Sequence, residues 1–137
     1  MAYAPRWTSK SSECRVQSSN GVLLMKNNIA MKKSEAFALR IIKLYNHLTD
    51  TKKEYVLSKQ ILRSGTSIGA NLAEAECAIT KKDFLSKVYI ALKECAETQY
   101  WLRLLKNSKY LTATEYASVY KDCNEITKIL MATTKTI

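Results

Sequence analysis

An antiparallel up-and-down bundle of four α-helices is the fold this sequence predicts, and three observations predict it. Only three glycines and one proline fall in 137 residues, too few to punctuate the many short strands of a sandwich or barrel. Hydrophobic residues make up 47% of the chain, enough for one buried core in a domain of this length and too many for wholesale disorder. Those residues recur at helical spacing in four successive segments separated by short polar turns, the pattern of helices that pack against their sequence neighbours.

The first helix is predicted from Asn28 to near Leu48, on Phe37, Ile41, Leu44 and Leu48, with Ala38, Ile42 and Tyr45 beside them. Upstream, residues 1–27 read as a basic, poorly structured arm, with residues 28–137 as the bundle: the arm contains Pro5 and Gly21, and its first 24 residues lack a helical apolar period. Thr51-Lys-Lys-Glu54 has the form of a capping box, in which a threonine hydroxyl and a glutamate carboxylate satisfy backbone donors at a helix start. It opens a second helix with the seam Leu57, Ile61, Ser64, Ile68, Asn71 and Ala75, ending near Ile79. Thr80-Lys-Lys-Asp83 is a weaker box, its aspartate standing in for glutamate, and starts a third helix that reaches about Lys106. The seam of that helix is regular: Phe84, Val88, Ala91, Cys95, Thr98, Leu102 and Leu105. After a turn at Asn107-Ser108-Lys109, Thr112-Ala-Thr-Glu115 is a third box, and Tyr116, Val119, Cys123, Ile126 and Leu130 line one face of a fourth helix.

Lysine and arginine outnumber aspartate and glutamate by 22 to 12, a net charge of +10, which makes a polyanion the leading class of partner. Residues 1–33 hold six basic side chains against one acidic. Arg6, Lys10 and Arg15 therefore make the arm the first candidate for nucleic-acid contact, the alternative being a leader upstream of a start at Met25 or Met31. On the helices, Lys59 and Arg63 lie one turn apart, and Lys32, Lys33 and Arg40 share the first helix. Lys52, Lys53, Lys81 and Lys82 are expected in N-terminal turns, where their charge opposes the helix dipole and a phosphate ligand would give them a purpose.

Other function classes lose support. No stretch approaches the roughly 18–20 uncharged apolar residues of a spanning helix, so neither a membrane segment nor a secretory signal is expected. Cys14, Cys77, Cys95 and Cys123 are far apart with no C-x-x-C pair, which disfavours zinc and disulfide frameworks and suggests a reduced, cytoplasmic chain. Cys77, Cys95 and Cys123 are expected to pack as small hydrophobes, and His47 to favour the carbonyls of the last turn of the first helix. One histidine cannot supply a ferritin-like di-metal centre. Glu74, Glu94 and Glu97 are conceivable as a carboxylate cluster, but ion pairs between helices are the expected use. No nucleophile, base and orienting group can be read together, so no enzyme and no cofactor is predicted.

Gly65-Thr-Ser-Ile-Gly69 has neither the spacing nor the Lys-Ser/Thr of a phosphate-binding loop. Gly65, Gly69 and Ala73 recur every four residues instead, a flat stripe on which a neighbouring helix can approach closely. Asn71 and Glu74, on or beside the same seam, are expected to fix helix register or a subunit contact. Tyr100 and Trp101 are expected in the core or a subunit contact in preference to stacking on bases.

The run Leu62-Arg-Ser-Gly-Thr-Ser-Ile-Gly-Ala-Asn-Leu-Ala-Glu-Ala75, with Lys82-Asp-Phe-Leu-Ser-Lys87, Ala91-Leu-Lys-Glu-Cys-Ala-Glu97 and Tyr100-Trp101-Leu102, closely resembles a bacterial four-helix-bundle family. It is the family named for proteins encoded within intervening sequences of 23S ribosomal RNA genes, often labelled S23 ribosomal protein. The resemblance covers about residues 28–132 and leaves residues 1–24 unmatched. It implies a cytoplasmic, non-enzymatic bundle assembling as a homopentameric barrel, with Gly65, Ser67, Gly69, Asn71, Glu74, Glu94, Glu97 and Trp101 in its packing and oligomer motif. A related branch, the accessory variability determinant of diversity-generating retroelements, is a basic pentamer that binds a reverse transcriptase and its template RNA. The expected function is thus a non-catalytic, oligomeric RNA-binding accessory protein whose partners are RNA or an RNA/DNA hybrid, with a reverse transcriptase as one candidate protein partner. The competing class is a scaffold that engages an acidic protein and touches no nucleic acid.

Overall fold

The second, third and fourth helices start where a side chain satisfies unpaired backbone donors. The computed structural model describes residues 21–136, with side chains from Ile29 onward; the predicted contacts of Arg6, Lys10 and Arg15 lie outside the described residues. Four helices follow one another: α1 (Gly21–Asp50), α2 (Leu57–Glu76), α3 (Lys81–Asn107) and α4 (Ala113–Lys135). α1 packs on α2 and α4, and α3 on α2 and α4, with no diagonal contact among the described residues. Short turns between helices that pack in cyclic order give the up-down-up-down bundle.

Several boundaries differ from the sequence expectation for local physical reasons. α1 begins at Gly21, not Asn28, so residues 21–27 belong to the helix and not to an arm. α2 begins at Leu57, and Thr51 is not its cap. Glu54 does the capping alone: its carboxylate accepts from the backbone N–H of Val56 and Leu57, each at 2.9 Å, and of Ser58 at 2.6 Å. α2 ends at Glu76, three residues before the expected Ile79, because Thr80 must be extended (φ −124°, ψ 160°) to cap α3. Only half of the box at Thr80 forms, its hydroxyl accepting from Asp83 N–H at 3.0 Å. At α4 both halves are present: Thr112 N–H donates to Glu115 Oε1 at 2.9 Å and Glu115 N–H to Thr112 Oγ1 at 3.1 Å. α3 ends on a left-handed residue, Lys109 (φ 68°), after which Tyr110 N–H reaches Leu105 O at 2.9 Å. Glycine commonly fills that place; here a lysine does.

The core runs the length of the bundle through Phe37, Ile41, Leu48, Ile61, Ile68, Leu72, Phe84, Val88, Leu102, Leu105, Ile126 and Leu130, none more than 2% exposed. All seven expected seam residues of α3 are buried. The α2 seam is displaced toward α1: Ser58, Gly65, Gly69 and Leu72 are buried, whereas Leu57 and Asn71 are only half-buried. A helix wedged between two neighbours needs an apolar face wider than one seam, and the α1 side of that face is where the glycines lie. Tyr116 and Leu44 likewise sit at the edge of the core.

The small-residue stripe is real at two of its three positions. A Cβ at Gly65 would lie 2.9 Å from both Cγ atoms of Ile41, so α1 approaches as closely as a hydrogen atom permits. At Gly69 the nearest atom would be Ser34 Cβ at 3.5 Å, an ordinary contact. Ala73 is exposed and takes no part.

Candidate nucleic-acid interface

A basic surface is defined by where the acidic side chains go, because an exposed lysine beside a carboxylate offers little net charge to a phosphate. α2, α3 and α4 draw their carboxylates into contacts between helices. Arg63 of α2 bonds Glu94 at 3.4 Å and also Glu97, and Glu97 accepts from Trp101 Nε1 at 2.9 Å. Lys87 of α3 pairs with Glu74 of α2 at 3.0 Å. Across the α1–α4 seam, Arg40 bonds Asp122 at 2.7 Å and the Ser118 carbonyl at 3.2 Å, and Lys33 meets Glu125 at 3.4 Å.

These pairs settle the roles of several predicted residues. Glu74, Glu94 and Glu97 form no common cluster; they separate onto Lys87 and Arg63, as the expectation of ion pairs held. Glu74 fixes the α2–α3 register, but Asn71 does not: its Nδ2 donates to Ser67 O within α2 at 2.8 Å. Ser67 Oγ in turn donates to Arg63 O, so the polar run of this segment is satisfied inside its own helix. Lys33, Arg40 and Arg63, predicted as phosphate contacts, have their charge engaged within the bundle. Lys32, Lys52, Lys53, Lys59, Lys81 and Lys82 are exposed and make no ion pair among the described residues.

Two further carboxylates are held at helix starts. Burial raises the Glu54 carboxyl, but the backbone donors of Leu57, Ser58 and Val56 outweigh it and keep it below the ordinary carboxylate range. The Thr112 backbone and hydroxyl lower Glu115, and the nearby positive charge of Lys52 adds to the effect. Both acids are therefore ionised at neutral pH, their charge stabilised by the donors of the helix starts.

Sequence analysis does not single out Tyr89, Lys93 or Arg103, which all stand exposed on the outer side of α3. The signal was available: each lies two residues from a seam position, on the side of the helix turned away from the core. Trp101 is half-buried and tied to Glu97, whereas Tyr100 is 46% exposed. Tyr100 thus lies outside the core, one of the two places expected for it from the sequence, the other being a subunit contact.

The titratable groups inside the bundle offer little reactivity. Cys95 and Cys123 are fully buried, and Cys123 Sγ donates to Cys95 O at 3.6 Å. The interaction with Cys95 and burial push the Cys123 thiol far up, so it is a protonated packing group. Cys77, expected near a seam, is instead exposed at the C-cap of α2. His47 Nε2 is buried without a hydrogen-bond partner; the His47 carbonyl is satisfied by Thr51 and Lys52 N–H and not by a side chain. Between α1 and α4 lies a groove of about 680 Å³ with Phe37, Leu39 and Lys43 among its lining residues. No helix among the described residues is long and apolar enough to cross a membrane.

The fold and its charge distribution define a class: a basic, all-α four-helix bundle in which Glu74, Glu94, Glu97, Asp122 and Glu125 pair across its helices. Residues 26–132 match the family model described as 23S rRNA-intervening sequence protein, and the chain belongs to that family. It is also similar to a crystal structure of a protein of unknown function from the S23 ribosomal protein family of Bacteroides thetaiotaomicron. The identity is 52% and the TM-score 0.80, over 80% of this chain and 98% of that one. Among curated proteins none matches.

Proposed function

We propose that this chain is a non-catalytic, cytoplasmic RNA-binding protein that works as a homo-oligomer, an accessory component of a ribonucleoprotein. One observation carries the reading. Glu74, Glu94, Glu97, Asp122 and Glu125 are engaged in ion pairs between helices and Glu54 and Glu115 in helix caps, while most lysines of the described helices stand exposed without a carboxylate in salt-bridge contact. The family's name, with its reference to 23S ribosomal RNA, supports RNA as the polyanion. Assembly as a pentamer, which the family resemblance implies, multiplies the charge of one particle fivefold. Service beside a reverse transcriptase is a special case of the same reading, the same surface holding a template RNA or an RNA/DNA hybrid.

The test is size-exclusion chromatography with light scattering on protein purified without nuclease or high-salt washing, with absorbance read at 260 and 280 nm. An oligomer carrying nucleic acid that salt releases is the expected result, because each neutralised phosphate makes binding salt-dependent. A nucleic-acid-free particle that binds no RNA at low salt, or one that co-purifies with an acidic protein in its place, overturns the reading.

A further inference from the structure

The outer side of α3 repeats with the period of its core seam. Lys82, Tyr89, Lys93, Tyr100 and Arg103 follow one another at intervals of seven, four, seven and three residues, all exposed. The two residues between them on the same stripe, Ser86 and Ala96, are small and leave the rings standing clear of the helix surface. Tyr89 is 51% and Tyr100 46% exposed. At 1.5 Å per residue the stripe runs roughly 30 Å along the bundle.

No carboxylate stands on it. Glu94 and Glu97 are turned to Arg63 on the α2 side, and Asp83 lies in the first turn, its N–H on Thr80. A second basic row, Lys121, Lys128 and Lys135, repeats every seven residues along the exposed side of α4. Asp122 and Glu125 of that helix are drawn across to Arg40 and Lys33 of α1. The Tyr100 ring is also held in place: it meets the Trp101 ring edge-on at 5.0 Å, and the Arg103 guanidinium lies 6.0 Å from its centre. Trp101 is anchored in turn by Glu97.

The geometry points to the outer stripe of α3 as a track for single-stranded RNA, with Tyr89 and Tyr100 as stacking platforms and Lys82, Lys93 and Arg103 as phosphate contacts. This rests on the RNA-binding reading above and adds the strand form and the face. Aromatic rings reach bases only when the bases are unstacked, and rings interleaved with cations along one line suit a flexible strand. A duplex offers that line its phosphates alone.

The experiment is fluorescence anisotropy on the full chain, with a fluorescein-labelled 20-nucleotide RNA of mixed sequence, alone and annealed to its complement, over a series of salt concentrations. Tyr89→Ala/Tyr100→Ala is expected to lose about tenfold or more in single-strand affinity for each ring, with the salt slope and the duplex affinity unchanged. Lys93→Ala/Arg103→Ala is expected to lower the single-strand salt slope by about 0.7 for each cation. Tyr89→Ala/Tyr100→Leu keeps bulk against Trp101 without a stacking face and is expected to match the double alanine variant if the loss is one of stacking. A wild type that binds RNA while all three variants bind equally well overturns the stripe and leaves the RNA reading standing. A wild type that binds no RNA overturns both. Variants that change the particle mass by light scattering but bind RNA as before assign the stripe to contact between copies and overturn the proposal.

Discussion

α1 makes two contacts of opposite character. On α2 it closes until Ile41 stands where a Gly65 side chain would begin; on α4 it leaves a groove of about 680 Å³ spanned by Arg40–Asp122 and Lys33–Glu125. The first contact is specified by absence of bulk and tolerates almost no change of volume. The second is specified by charge and tolerates a good deal, since pairs of half-exposed side chains contribute only about 0–1 kcal/mol each. One helix can thus be located rigidly by a neighbour on one side and loosely tethered on the other.

The largest effect expected from testing this contrast is at Gly65. Gly65→Leu should destabilise by about 3 kcal/mol or more, and Gly65→Ala by less, because overpacking strain of about 1–3 kcal/mol opposes a helix-propensity gain of about 1 kcal/mol. Urea denaturation reads both, and Gly65→Ala combined with Ile41→Ala should show a favourable coupling. Equal stability of Gly65→Leu and wild type would remove the close contact.

Glu54→Ala comes next, at about 2 kcal/mol, since it strips a charged acceptor from three backbone donors at the start of α2. The Glu54 carboxyl is lowered in the folded state, so the unfolded chain binds its proton more readily. The contribution is fully present above the unfolded value of about 4.3 and is lost as the pH falls through the lower folded value. Glu54→Gln should therefore differ most from wild type near neutral pH and converge on it in acid, as followed by urea midpoints at several pH values.

Gly69→Ala should move the other way, raising stability by up to about 1 kcal/mol, because its Cβ meets Ser34 at 3.5 Å without strain. A lowered melting temperature would mean that both glycines, and not Gly65 alone, set the helix separation. The smallest effect belongs to Arg40→Ala, about 0.5 kcal/mol and shrinking further in high salt. A loss as large as that at Gly65 would erase the distinction between the two contacts.

Periodic features were legible in the sequence, and features set by a single atom or by a neighbour were not. The α3 seam from Phe84 to Leu105 and the box at Thr112 are as written, since each depends on spacing within one helix. The start of α2 was misread because Thr51-x-x-Glu54 satisfies the pattern of a box, whereas the Glu54 carboxylate reaches forward to Ser58, and the N-cap is Val56, five residues after Thr51. The start of α1 was missed for want of a core period. The register that sets Gly69 against Ser34 puts the end of α2 level with about residue 27, beyond which α2 imposes no such period. Among the candidate contact residues, spacing identified the cations but not their partners. Nothing local distinguishes Arg63, held by Glu94 and Glu97, from unpaired Lys59 one turn away.

The α1–α4 seam also has a kinetic meaning. Its bonds join residues 78 to 92 positions apart, whereas Lys87 and Glu74 on the α2–α3 side are separated by 13. Closing the longer loop costs more chain entropy, and the half-exposed ion pairs that reward it are weak. α4 is thus expected to dock on α1 late in folding, after the central hairpin of α2 and α3 has formed. Loosening the seam would then hasten unfolding while leaving the folding rate almost untouched, so the gap between the first and last helices sets how long the bundle stays closed.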